Sequence, residues 1–184
     1  MKTRTSHKNK KRIIIGLTGY KGSGKNAAAD TLEGYRHISF AHPLRELCKV
    51  VFGLTDEEMA DRELKEKPLS RWPYQSPRQI LQTIGTDMFR KHYPGVWIEH
   101  FRRHAESFEG NLVATDVRFP DECDTIREMG GFIIRIVRHG QTLGENAHES
   151  EKAIDTLQVD GTVVNDRTLE DLGHYLQQTI DDLL

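Results

Sequence analysis

From Ile13 onward, short apolar runs alternate with segments whose apolar residues recur every three or four positions. Ile13 to Thr18 (IIIGLT) is β-branched and predicts a buried central strand. Helix formers from Asn26 to Glu33 follow, then a second short strand at Arg36 to Phe40 and an apolar-periodic helix at Pro43 to Phe52. Residues 54–75 are charged and hold Pro68 and Pro73, which predicts a loop with one helical turn at Asp56–Met59. Ser76-Pro77 is a helix start, a capping residue followed by proline at the first helical position. Behind it Ile80, Ile84 and Met88 form one stripe at four-residue spacing, with Leu81 and Phe89 beside it. A further helix is expected from Trp97 to about Phe108.

Strands are then expected at Asn111–Thr115, Phe132–Val137 and Thr162–Val164. A helix from Pro120 to Met129, stopped by Gly130-Gly131, separates the first two, and a polar loop at 138–150 follows the second. Leu169, Leu172, Leu176, Ile180 and Leu183 close the chain as an amphipathic helix. Such alternation predicts an α/β domain with a mostly parallel sheet covered on both faces. In sheets of this kind ligands gather at the carboxyl ends of the strands, so the polar residues after each strand are the ones to examine.

Composition narrows the function. The 184 residues suffice for one domain, and the longest purely aliphatic run, Ile13-Ile14-Ile15, is far too short to cross a membrane. Cys48 and Cys123 stand apart, without metal-site spacing, and a reducing cytoplasm is the expected compartment. Residues 1–12 carry six Lys or Arg and no acid, leaving 20 basic against 28 acidic residues in the remainder. An acidic body of this kind predicts no nucleic-acid partner, and the basic stretch 1–12 reads as a disordered, solubilising tail.

Gly19-Tyr20-Lys21-Gly22-Ser23-Gly24-Lys25 matches G-x-x-x-x-G-K, a phosphate-binding loop, with the required strand before it and helix after it. Gly19, Gly22 and Gly24 let the backbone curl so that N–H groups, including that of Ser23, converge on phosphate oxygens, while Lys25 adds a full charge. Asn26 stands where a serine or threonine hydroxyl usually meets Mg²⁺; its amide either coordinates the ion or caps the helix. Asp116, at the end of a strand, suits a second Mg²⁺-associated carboxylate or a partner for an arginine or a substrate hydroxyl. Arg118 and Arg138 follow the third and fourth strands. With Lys25 they would neutralise a polyanionic transition state, Arg118's alternative being an ion pair with Asp121 or Glu122.

Several blocks together resemble the deoxynucleoside monophosphate kinases of tailed bacteriophages: GYKGSGKNAAAD, FAHPLRE, RQILQTIGTDMFR with VWIEHF, ATDVRFPDE, and IRIVRHGQ leading to HES. The resemblance implies a P-loop NTPase three-layer sandwich. Its five-stranded parallel sheet would be of the nucleoside monophosphate kinase type, with a monophosphate-binding helical region at about 42–110 and a lid at about 138–150. It implies ATP on Gly22, Ser23, Gly24, Lys25 and Asn26, with Mg²⁺ beside it, and a kinase domain over 13–184. The monophosphate would meet Lys21, Arg45, Arg78, Thr86, Trp97, Arg118 and Glu122. A homodimer is compatible with the resemblance.

Other roles follow from chemistry at those positions. Arg45 and Arg78 can hold an acceptor phosphate with bidentate forks. Trp97 can wall in a base or sit in the core, and Gln82 can read a base edge or lie exposed. Asn165, after the last strand, either approaches the adenine of ATP or makes a turn. The expected reaction is transfer of the ATP γ-phosphoryl group to a deoxynucleoside monophosphate, with closure of 138–150 excluding water. Two rivals remain: a small-molecule kinase of the phosphomevalonate or dephospho-coenzyme A type, and an ATPase stimulated by nucleic acid.

Overall fold

The computed structural model describes residues 12–141 and 153–184. Five parallel strands, β1 (Ile14–Thr18), β2 (Tyr35–Ile38), β3 (Asn111–Ala114), β4 (Phe132–Val137) and β5 (Gly161–Val164), form one sheet in the order β2-β3-β1-β4-β5. Strand β1 is central because every one of its residues is buried, and only a strand flanked on both edges and both faces can hide such a run. Alternate side chains build two cores. Ile14, Leu112, Ala114 and Ile133 pack under α5 (Val96–Glu106) and α6 (Pro120–Glu128). Ile15, Leu17, Val113, Ile134 and Ile136 pack under α1 (Lys25–Asp30) and α7 (Leu169–Leu183).

The periodic segments become helices close to the expected limits. Helix α2 spans His42–Phe52, and the helical turn expected at Asp56–Met59 is α3 (Asp56–Ala60), started by a Thr55–Glu58 capping box. Helix α4 (Pro77–Gln82) begins with a second capping box, between Ser76 and Gln79. In the last helix Leu172, Leu176 and Ile180 are buried as the spacing predicts, while Leu169 in its first turn is exposed.

Two expectations need revision. The stripe of Ile80, Ile84 and Met88 does not run straight, because α4 continues as a π-helical segment over Thr83–Arg90. Bonds from i to i+5 widen the turn, so a residue four positions on no longer stacks over the last. Ile80 is buried, Gly85 takes the inner position, and Met88 turns outward to 49% exposure. Arg12, assigned by composition to the tail, is fastened to the body, its guanidinium donating to Ala105 O (2.8 Å) and Phe108 O (3.3 Å). The rest of the basic stretch, and 142–150 of the expected lid, lie outside the described residues. None of the described helices is long and apolar enough to cross a membrane.

Candidate active site

The loop after β1 has the backbone its glycines predict, with φ of 137° at Gly19, 80° at Gly22 and 99° at Gly24. At Gly24 only hydrogen fits: a Cβ would stand 2.3 Å from the side-chain nitrogen of Asn165. That amide donates to Ser23 O (2.9 Å), and the Asn165 N–H donates to Val137 O (2.7 Å). Asn165 thus braces the loop rather than making a bare turn. Lys25 Nζ curls over the loop, donating to Gly19 O (2.7 Å) and Tyr20 O (2.9 Å). Ser23 is fully buried and its hydroxyl has no hydrogen-bond partner among the described residues.

A large cavity opens beside the loop, between the ends of β2 and β3, α2, α4 and its π extension. It gathers Arg45, Arg78, Gln82, Thr86, Trp97, Asp116, Arg118 and Glu122, all singled out in the sequence. Phe40, Leu44, Leu81 and Phe119 add apolar wall, and Phe40 is itself stacked on Phe101 with ring centroids 3.8 Å apart. Trp97 is both wall and core: it lines the cavity while buried, and its indole N–H donates to Gly85 O (3.0 Å), pinning the π segment.

Lys65, inside the charged stretch read as loop, also lines this cavity. Burial, together with the charges of Arg45, Arg78 and Arg118, pushes its amine down to about 8. Its neighbour Glu66 accepts from Lys21 of the phosphate loop and from Arg78 Nε (2.6 Å). Burial opposes ionisation of that carboxyl, but the two cations hold it below the usual range. Lys21 therefore meets the cavity through Glu66 rather than by lining it.

Asp116 accepts from Ser39 Oγ (2.7 Å), Phe40 N (3.2 Å) and Ala41 N (2.9 Å), which ties the end of β3 to the start of α2. The ion pair that was the alternative role for Arg118 is made by Arg90, which contacts Asp121 and Glu122 and lies 3.8 Å over the Phe119 ring. Glu122 also accepts from the Arg118 N–H (2.7 Å), fixing the backbone from which the Arg118 side chain enters the cavity. Burial pushes the Glu122 carboxyl up to about 8, against Arg90 and that N–H, which favour its anion. Arg138 stands apart from Arg118. It is exposed and lines a smaller cavity with Gly19, Tyr20 and Gln141, where Tyr20 donates to Asp155. That bond raises the Tyr20 phenol.

Sequence reading passed over Lys65, Glu66 and Arg90. For the first two a signal existed: Arg62, Lys65 and Glu66 have the i, i+3, i+4 spacing of one helical face.

Residues 58–176 match the family model described as deoxynucleotide monophosphate kinase. The chain belongs to that family. A mimivirus relative (Acanthamoeba polyphaga mimivirus) provisionally named deoxynucleotide monophosphate kinase is 36% identical over 92% of this chain and 97% of its own. The deoxynucleoside-5′-monophosphate kinase of Escherichia phage T5 is 24% identical over 83% of this chain and 89% of its own. Among solved structures, TT1252 from Thermus thermophilus covers 95% of this chain and matches over 100% of its own, with TM-score 0.52 and 20% identity. Shikimate kinase from Aquifex aeolicus covers 93% and 98%, with TM-score 0.53 and 13% identity; both likenesses show the fold alone.

The kinase transfers a phosphoryl group from ATP to a deoxynucleoside monophosphate, and membership of the family implies use of Mg²⁺. The phosphomevalonate and dephospho-coenzyme A alternatives fall away with that assignment, as does the nucleic-acid-stimulated ATPase. Asn26 and Asp116 carry oxygens of the hard type that Mg²⁺ takes, and both Asp116 oxygens already accept hydrogen bonds from Ser39, Phe40 and Ala41. An ion held mainly by phosphates and water, with one or two protein oxygens, is the usual arrangement for Mg²⁺.

Proposed function

We propose that the two substrates divide the site along the Lys21–Glu66–Arg78 bridge. The ATP triphosphate lies on Gly19 to Asn26, with Lys25 swinging from its loop carbonyls to the outer phosphates and Arg138 covering the donor side. The acceptor's 5′-phosphate lies against Arg45, Lys65, Arg78 and Arg118. Its base lies along Phe40 and Trp97, within reach of Gln82 and Thr86. Asn26 and Asp116 would hold the Mg²⁺, which when bound would neutralise phosphate charge. The monophosphate-binding region is then 42–110 and the kinase domain 13–184.

The observation that carries this reading is the convergence of Arg45, Lys65, Arg78 and Arg118, beside an Arg90 paired with Asp121 and Glu122, on one cavity whose wall is also apolar and aromatic. A nucleotide has the same division, an anion at one end and a flat ring at the other. The acceptor phosphate presents its own nucleophilic oxygen, so no side chain need act as general base, and catalysis reduces to placement and charge neutralisation. The buried Glu122 serves placement, holding Arg90 and the backbone of Arg118.

The test is a kinetic panel of Arg45→Ala and Arg118→Ala with ATP and the four deoxynucleoside monophosphates and their ribose forms. Loss of a charged hydrogen bond to phosphate is expected to raise the acceptor KM about 10- to 100-fold. The ATP KM should stay within about threefold. An unchanged acceptor KM in both variants would move the monophosphate elsewhere.

A further inference from the structure

Between α3 and α4 the chain makes one extra helical turn. Asp61 starts it: its side chain accepts from the N–H groups of Glu63 (2.9 Å) and Leu64 (2.8 Å), and Lys65 N donates back to Asp61 O (3.2 Å). Arg78 N donates to Lys65 O (3.0 Å), which locks the turn to the start of α4. Arg62, Lys65 and Glu66 project from one side of it, and each reaches a different part of the site. Lys65 enters the acceptor cavity, and Glu66 spans Lys21 and Arg78. Arg62 reaches the crown of the phosphate loop, where a Cβ on Gly22 would stand 2.8 Å from its guanidinium nitrogen. Among the described residues that guanidinium has no ion-pair partner.

We propose that Arg62 is a catalytic residue that contacts the phosphoryl group in transit between donor and acceptor, with Glu66 as the positioning residue that sets the turn. The inference rests on the substrate placement proposed above. Side chains three apart on a helical turn lie about 5–6 Å from each other, and reacting oxygen and phosphorus approach to about 3–3.5 Å. A cation one step from the acceptor's lysine and against the donor's glycine loop therefore stands over the gap that the group must cross.

In the step itself, a lone pair on an acceptor phosphate oxygen forms the new bond to the γ-phosphorus. The bond from that phosphorus to the β–γ bridging oxygen breaks, and its electron pair stays on the ADP product. No proton, oxidant or reductant is consumed. In transit the negative charge is spread over the three equatorial oxygens and grows on the departing oxygen, where a planar fork of N–H donors can meet both.

The experiment uses the full chain and compares Arg62→Ala, Arg62→Lys, Glu66→Gln and Lys25→Ala. For Arg62→Ala, kcat is expected to fall about a hundredfold or more with both KM values within about threefold, and Arg62→Lys should recover part of the loss. Binding of ADP with aluminium fluoride and the acceptor, a mimic of the transferring group, should weaken in parallel, while ADP alone binds as before. Glu66→Gln should lower kcat less and raise the acceptor KM severalfold. The proposal is overturned if kcat of Arg62→Ala stays within threefold of the parent, or if its whole loss lies in the acceptor KM. An active Lys25→Ala with normal ATP affinity would point instead to failure of the donor-site reading.

Discussion

The side-chain amide of Asn165 donates to the carbonyl of Ser23 across 142 positions of sequence. One residue follows β5 and the other lies in the turn after β1, so the bond fastens the nucleotide loop to the far side of the sheet. It also explains why position 24 admits no side chain.

Asn165→Ala leaves the Ser23 carbonyl short of a partner and is expected to cost about 1 kcal/mol, the usual scale for one such bond. The ATP KM should rise severalfold while the acceptor KM holds. Asn165→Asp should be worse, because it sets a carboxylate oxygen against a carbonyl oxygen. Thermal melts and ATP titration of the two variants check this order; equal values for parent and both variants would dismiss the brace.

Lys25 reaches two carbonyls of its own loop, so its ammonium is already held within the curve that would receive phosphates. We expect Lys25→Ala to lower kcat by about a hundredfold, the scale of losing one strong electrostatic contact in a transition state. Circular dichroism should show an intact fold.

On the proposed placement, Lys65 is expected to make acceptor binding sensitive to alkali. Burial, then Arg45, Arg78 and Arg118, hold its amine down at about 8, so its charge is lost as the pH rises through that value. A bound phosphate dianion favours the charged form, so binding above pH 8 takes up a proton, and the acceptor KM should climb between pH 8 and 9.5. Lys65→Arg keeps its charge throughout and should flatten that limb. The sign for stability is opposite. Between about 8 and the ordinary lysine value near 10.4 the unfolded chain binds more protons, so this group's penalty on the fold shrinks as pH rises.

Trp97 joins packing to the shape of the proposed acceptor cavity. Trp97→Phe keeps most of the ring but removes the N–H to Gly85, at a cost of about 1 kcal/mol, whereas Trp97→Ala should cost about 3–5 kcal/mol. If the π segment depends on that bond, Trp97→Phe should raise the acceptor KM more than the ATP KM. Equal changes in both would assign Trp97 to the core alone.

The order of strands and helices, the phosphate loop and its lysine, and the polar ends of β3 and β5 were all legible along the chain. Each rests on local spacing, two for strands, near 3.6 for helices, and glycines where backbone must curl. Spacing failed at Met88, because a π turn differs from an α turn only in which carbonyl each N–H selects. Local order also left partners undecided. Asp121 and Glu122 stand near Arg118 in sequence, yet Arg90, on a separate helix, takes both.

What the sequence determined by itself is therefore the scaffold, the loop for phosphates and, through its motif blocks, the family. Tertiary structure alone decided that a charged stretch without an apolar pattern becomes a wall of the site. Arg62, Lys65 and Glu66 gain their places beside Gly22, in the cavity that also holds Arg45 and Arg118, and against Lys21 with Arg78. Electrostatic convergence depends on distances through space, which a one-dimensional pattern of residue types does not carry.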